Sequence, residues 1–154
     1  SGTWNGPRIL MKHRIYLSLG TNMGDRMANI NKAIELLSFR LSTHYLALSS
    51  IVESKSWGFE GNDFLNCAIS YETQLEPFEL LSICKEIEVE MGRIERIEYG
   101  ADGKRIYHDR PIDIDILLYD DLTVNLPELT IPHPLIEQRD FIKGPLMEIL
   151  EGNN

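Results

Sequence analysis

The sequence predicts an α+β protein of the ferredoxin-like kind: a βαββαβ antiparallel sheet with helices on one face and additional C-terminal elements. Three observations carry this. Segments of period-two apolar alternation interleave with segments of helical period, in the order strand, helix, strand, strand, helix, strand. Turn-rich loops such as Gly20–Asp25 and Ser56–Asn62 separate them. At 154 residues, with 43% hydrophobic and 25% charged content, the chain suits a single domain with a proper core.

Ser1 to Met11 shows neither period, and Gly2, Gly6 and Pro7 break any element. Residues 1–11 are therefore expected to be a tag or linker, with Met11 a natural start and 12–154 one domain. Ile15 to Leu19 is a short apolar strand. A helix follows, with Met27, Ile30, Ile34 and Leu37 near one face and Asp25 as its N-cap. Tyr45 to Ser54 reads as a second strand and Phe64 to Thr73 as a third. Pro77 suits the first turn of a second helix, whose apolar stripe is Leu80, Cys84, Ile87 and Met91, and Gly92 can end it. Arg93 to Asp109 is polar and without period. A fourth strand runs through Asp113 to a turn at Asp120-Asp121, and an extended segment continues toward Ile131. Short helical pieces are expected at Leu135–Gln138 and Leu146–Leu150. One face of the sheet is left open for ligands or extra elements.

The net charge of -9 argues against a nucleic-acid partner. An anionic small substrate is still compatible, because arginines can gather locally and a metal can supply charge. Cys67 and Cys84 fall at apolar-periodic positions without metal-binding spacing, as small core residues of a reducing compartment. No apolar run is long enough to span a membrane and no signal peptide is visible. The expectation is a cytoplasmic protein without a membrane partner.

Arg110-Pro111-Ile112-Asp113-Ile114-Asp115-Ile116-Leu117 is the most informative stretch. Ile112, Ile114 and Ile116 point to one face, Asp113 and Asp115 to the other. Two adjacent carboxylates on a rigid strand repel each other unless a cation sits between them. Mg²⁺ is suited, since it takes one or two carboxylates together with substrate phosphates. The other reading is a solvated edge strand, although aspartate is a poor strand former. Arg93, Arg96, Lys104, Arg105 and Arg110 lead into this strand, as a solvated loop or as a mobile clamp on a polyphosphate. On the third strand Leu65, Cys67, Ile69 and Tyr71 face the core, which puts Phe64 and Asn66 together on the other side. An aromatic plane beside an amide suits a flat, hydrogen-bonding heterocycle, or is simply an aromatic surface contact. Prolines frame His133, and Arg139 and Phe141 follow as a possible phosphate contact and a second ring.

Taken together these residues resemble the 6-hydroxymethyl-7,8-dihydropterin pyrophosphokinase family of folate biosynthesis. The resemblance is carried by Gly20-Thr21-Asn22-Met23-Gly24, Asp63-Phe64-Leu65-Asn66-Cys67-Ala68, Glu88-Val89-Glu90-Met91-Gly92-Arg93, the Arg110–Leu117 element, and Ile131-Pro132-His133 through Arg139-Asp140-Phe141. It implies an enzyme that moves the pyrophosphate of ATP onto the pterin hydroxymethyl group and releases AMP. Asp113 and Asp115 then match the carboxylates that hold two Mg²⁺ ions. With Arg93 and Arg110 they form the catalytic set. Arg93, Arg110, Ile116, Thr130, His133 and Arg139 match ATP contacts. Ser54, Trp57, Phe64, Asn66, Asp115 and Phe141 match the pterin pocket, with Phe64 and Phe141 as the sandwiching rings. The resemblance implies ATP and 6-hydroxymethyl-7,8-dihydropterin as partners, and the expectation for the protein itself is a monomer.

Three departures from the family pattern stand out. His108-Asp109 stands where members often carry Gly-Pro, Glu95 replaces an arginine that Arg96 can substitute, and the chain stops at Asn154, earlier than longer members. Two other functions fit the same residues: a different two-metal phosphoryl or nucleotidyl transferase, and a non-catalytic binding module in which the aspartates are merely solvated.

Overall fold

The computed structural model describes residues 11–56, 62–92, 98–99, 101–102, 105–106 and 111–151. The elements are β1 (His13–Thr21), α1 (Arg26–Leu41), β2 (Ala47–Leu48), β3 (Val52–Ser54), β4 (Phe64–Thr73), α2 (Pro77–Met91), β5 (Glu98–Tyr99), β6 (Arg105–Ile106), β7 (Asp113–Tyr119), β8 (Val124–Asn125), β9 (Thr130–Ile131) and α3 (Asp140–Glu151). The protein is α+β, with antiparallel sheets. The main sheet has the order β2-β4-β1-β7, and β3 also pairs with β4. β8 and β9 pair separately, in the segment expected to be extended toward Ile131. Of the expected tag, residues 1–11, residues 1–10 lie outside the described residues, and Met11 is exposed. Among the described residues no helix is long and apolar enough to cross a membrane.

Alternation decides which side chains meet. Ile15, Leu17 and Leu19 of β1, Leu65 to Tyr71 at odd positions of β4, and Ile114 and Ile116 of β7 form one apolar face. Against it pack Ile30, Ala33 and Leu37 of α1 and Leu80, Cys84 and Ile87 of α2. The caps are as the sequence predicts. Asp25 Oδ1 accepts the Ala28 N–H at 3.1 Å, Pro77 opens α2, and Gly92 follows its last residue. Met27 corrects the predicted stripe, being 44% exposed. The buried stripe starts one turn later, at Ile30, and Ala33 completes it. Cys67 and Cys84 are free and buried, and burial pushes both thiols up to about 12.

The second face of the sheet carries one of the extra C-terminal elements for which it was expected to be open: Tyr16, Ala68 and Leu117 pack against Ile142, Leu146 and Ile149 of α3. The two helical pieces expected at Leu135–Gln138 and Leu146–Leu150 are instead a run of turns over 134–138 and one helix starting at Asp140. Pro145 lies inside that helix and lacks the N–H that would donate to the Phe141 carbonyl. Burying each of the three large α3 side chains is worth about 1.5–3 kcal/mol. Together they outweigh the roughly 3 kcal/mol penalty of an interior proline.

The strand expected over Tyr45–Ser54 is broken in two. Between the pairs Leu48↔Ile69 and Val52↔Asn66, three residues (Ser49, Ser50, Ile51) oppose two (Cys67, Ala68). This is a one-residue bulge. Ser49 bridges it: its N–H donates to the Ala68 carbonyl at 2.9 Å, and its hydroxyl accepts the Ala68 N–H at 2.8 Å. In the polar stretch Arg93–Asp109, β5 and β6 pair antiparallel, through Glu98↔Ile106 and Tyr99↔Arg105, where no strand was expected.

Ser70, beneath Ala47 and beside Tyr16 in the register, is fully buried, and its hydroxyl has no hydrogen-bond partner among the described residues. An unsatisfied buried hydroxyl costs about 1–3 kcal/mol. Ser70→Ala is therefore expected to stabilise the fold by about 1 kcal/mol. Urea titration of the two proteins measures it, and a variant less stable than the parent contradicts it.

Candidate active site

The site forms where three neighbouring strands expose the same face. Asn66 of β4 stands opposite Gly20 of β1, which stands opposite Asp113 of β7. The next row of that face is Ala68, Ser18, Asp115. α3 covers the far half of the face, Ala68 included, and leaves Asn66, Gly20, Asp113, Ser18 and Asp115 as the floor of a cavity of about 830 Å³. Its walls are Ser54, Lys55 and Phe64 on one side and Leu135 and Gln138 to Ile142 on the other.

Asn66 is 4% exposed, so its amide must be partnered. Its Nδ2 donates to Ser54 Oγ at 2.9 Å and to the Val52 carbonyl at 3.4 Å. These bonds to β3 turn Oδ1 toward Gly20, where a Cβ would stand 3.2 Å from it and 3.9 Å from Phe64. Gly20 thus keeps the floor low between the amide and the carboxylates. The start of β4, next to Phe64, is held by Arg26, whose guanidinium donates to the Asp63 carbonyl at 2.8 Å.

Asp113 is half-buried and Asp115 exposed, both on the cavity side of β7, while Ile112, Ile114 and Ile116 are buried behind them. The Ile114 N–H, between the two aspartates, donates to Glu88 Oε2 of α2 at 2.9 Å. That charge-assisted bond fixes the edge strand at the point where the carboxylates project. Among the described residues no group of three or more His, Cys, Asp or Glu side chains can hold a metal ion. A pair of carboxylates opening on a cavity suits Mg²⁺, which completes its shell with phosphate and water oxygens, and not a closed all-protein site.

His133 is held outside the cavity lining. Its N–H donates to the Leu117 carbonyl at 2.9 Å, and its Nδ1 accepts the Leu135 N–H at 3.2 Å. Burial lowers its pKa, Asp115 opposes that, and the Arg139 cation lowers it further. A neutral ring with Nδ1 accepting carries its proton on Nε2, as a donor. The Arg139 guanidinium lies 5.8 Å from the centre of the Phe141 ring, and both residues line the cavity.

The structure therefore brings Ser54, Phe64, Asn66, Asp113, Asp115, Arg139 and Phe141 to one cavity. Other predicted residues are placed differently. The Ile116 side chain is in the main core, behind the site. The Thr130 hydroxyl donates to the Leu126 carbonyl at 3.2 Å, away from the lining. Trp57, Arg93 and Arg110 lie outside the described residues. Sequence reasoning overlooked Gly20 as floor, Glu88 as strand anchor, and Lys55, Gln138 and Asp140 as lining. The signals were adjacency: Lys55 follows Ser54, and Gln138 and Asp140 flank Arg139.

The family model described as 7,8-dihydro-6-hydroxymethylpterin-pyrophosphokinase matches residues 16–151. Two relatives bear the name 2-amino-4-hydroxy-6-hydroxymethyldihydropteridine pyrophosphokinase. That of Porphyromonas gingivalis is 43% identical over 137 residues, covering 88% of this chain and 89% of the relative. That of Aquifex aeolicus is 46% identical over 136 residues, covering 88% and 79%. The chain is also 37% identical, over 137 residues, to a mitochondrial folate synthesis bifunctional protein of Pisum sativum, covering 88% of this chain and 25% of that protein.

Proposed function

The chain belongs to the 7,8-dihydro-6-hydroxymethylpterin-pyrophosphokinase family, and from that premise we propose that it transfers pyrophosphate from ATP to the hydroxymethyl group of 6-hydroxymethyl-7,8-dihydropterin, giving the pterin diphosphate and AMP, in folate biosynthesis. The observation that carries this is the row Asn66, Gly20, Asp113: a heterocycle-reading amide and a carboxylate pair separated by a single glycine on one cavity floor. The pterin lies between Phe64 and Phe141 with its edge on Asn66 and on Ser54. Trp57 contributes to the same pocket, and Asp115 borders it from the phosphate side. ATP takes the other part of the cavity, against Arg139, Arg93 and Arg110. The Nε2–H of His133, Thr130 and the main chain of Ile116, which lie outside the cavity lining, take the part of ATP that extends beyond the cavity.

The hydroxymethyl oxygen attacks the β-phosphorus. The bond from that phosphorus to the oxygen bridging to the α-phosphorus breaks, AMP leaves with the bridging oxygen, and the hydroxyl proton is released. Such a transfer needs positioning and charge neutralisation more than covalent chemistry. Asp113 and Asp115 hold two Mg²⁺ ions, which supply neutralisation of the phosphate charge when bound. The residues of the chain do the rest: the rings and Asn66 orient the hydroxyl, and the arginines orient the triphosphate.

The strand order, with β2 and β3 as one bulged strand, supports a ferredoxin-like topology with α3 added to its second face. We read residues 12–154 as one pyrophosphokinase domain. We read the protein as a monomer. Two free buried thiols support a cytoplasmic location. No nucleic acid or membrane takes part.

The decisive experiment follows AMP from ATP and Mg²⁺, with and without the hydroxymethyl pterin. AMP that appears only with the pterin supports the assignment; ADP, or release that ignores the pterin, rejects it. Gly20→Ala should raise the KM for the pterin about tenfold, because the new Cβ forces the Asn66 amide away by a few tenths of an ångström and fills the space beside Phe64. ATP binding should change little, and an unchanged pterin KM would remove Gly20 from the pocket floor.

A further inference from the structure

We propose that Glu148, on the outer part of α3, is a positioning residue for the pterin side of the site; this rests on the pterin assignment above. Asn66 reads a heterocycle only if its amide is held in one orientation, and the groups that hold it belong to β3: the Val52 carbonyl and Ser54 Oγ. β3 is itself weakly secured. It is three residues long, among the described residues pairs only with β4, and follows the bulge at Ser49–Ile51. A short edge strand after a bulge has few bonds to fix its position.

Glu148 supplies that fixing. One carboxylate oxygen accepts the Ser50 N–H at 3.0 Å and the other accepts the Ser50 hydroxyl at 2.8 Å. Both bonds are charge-assisted, and together they grip the bulge from two directions. Glu148 stands seven residues after Phe141 on the same helix, so the two share a face. One helix therefore carries the second ring of the sandwich at its start and the clasp on the opposite wall two turns later. The path runs from Glu148 to Ser50, along β3 to Val52 and Ser54, and then to the Asn66 amide. It spaces the wall bearing Phe141 from the wall bearing Phe64.

Both partners are solvent-exposed, so the clasp contributes little to global stability. Its effect falls on local geometry, which separates a positioning role from a merely structural one. The test compares the parent with Glu148→Ala, Glu148→Gln and Ser50→Ala, reading KM for the pterin, KM for ATP, kcat and Tm. Glu148→Ala should raise the pterin KM about fivefold, leave the ATP KM within about twofold, and shift Tm little. Glu148→Gln should restore the pterin KM, since its amide oxygen accepts the N–H and its NH₂ donates to the hydroxyl. Ser50→Ala, which keeps the N–H bond, should give a smaller rise of about twofold. A pterin KM unchanged in Glu148→Ala, or raised equally with that for ATP, overturns the proposal. Calorimetry of the parent with the pterin alone separates this from the assignment itself: a parent that binds no pterin overturns the assignment, and the positioning role with it.

Discussion

Asp115→Asn and Asp113→Asn are each expected to reduce AMP formation by about 10³-fold or more while the protein stays folded. With the pair holding Mg²⁺ as proposed, losing one carboxylate should remove several kcal/mol of transition-state stabilisation. About 4 kcal/mol corresponds to that factor in rate. The fold should survive because β7 is held by other means. It pairs with β1, its isoleucines are buried behind the site, and Glu88 holds the Ile114 N–H. The two aspartates are neighbours on one face, their Cα atoms about 7 Å apart along the strand. Removing one of them also relieves like-charge repulsion in the absence of metal. The measurement is AMP release at saturating ATP, pterin and Mg²⁺, beside a thermal melt without metal. Near-parental turnover in either variant would take the metal role away from this pair.

The same strand shows what the sequence could disclose. Alternation of isoleucine and aspartate is a local pattern, and it placed the carboxylates and their buried backing together. The first two helices were equally legible, because Asp25, Pro77 and Gly92 mark their ends by local chemistry. α3 was not. Gly144-Pro145 is a breaker pair by local rules, and only the burial of Ile142, Leu146 and Ile149 on the sheet overrides it. A signal for that burial did exist. Ile15-Tyr16-Leu17 and Ile116-Leu117-Leu118 are continuous apolar runs, as expected of strands covered on both faces. The break between β2 and β3 was hidden for a different reason. It depends on the hydroxyl of Ser49 replacing a ladder bond to Ala68, and that partner is far along the chain.

The candidate site divides along the same line. Phe64 and Asn66 were found because they alternate against a core strand. Gly20 was passed over because its importance comes from its neighbours on both sides, Asn66 and Asp113. Glu88 was passed over because an edge strand's need for an anchor appears only once the strand order is known.

Phe64→Ala, Phe141→Ala and Asn66→Ala should each weaken the pterin far more than ATP. The three side chains reach the cavity from different elements, β4 and the start of α3, yet meet around one place. The rings supply stacking area, worth about 0.5–1.5 kcal/mol beyond simple burial for an aromatic pair. Asn66 acts differently. Its Nδ2 is already engaged by Ser54 and Val52, so its contribution to a ligand is the carbonyl Oδ1, held by those bonds at a fixed angle. In a closed pocket, losing one such partner costs about 1–3 kcal/mol, because the ligand's N–H is left unpaired. The expected losses are therefore about tenfold to a hundredfold in pterin affinity, larger for Asn66 than for either ring. Asn66→Asp is a sharper variant still. It keeps an oxygen acceptor in place but removes the NH₂ that anchors to β3, and it adds a third carboxylate across Gly20 from Asp113. It should bind pterin poorly even though the acceptor remains. Calorimetric titration with the pterin, and separately with a non-hydrolysable ATP analogue, reads the two ligands apart. Equal weakening of both by all three alanine variants would move these residues out of a pterin pocket. Selective loss of the pterin would tie Asn66 Oδ1 and the two rings to the heterocycle and leave the carboxylate pair to the phosphates.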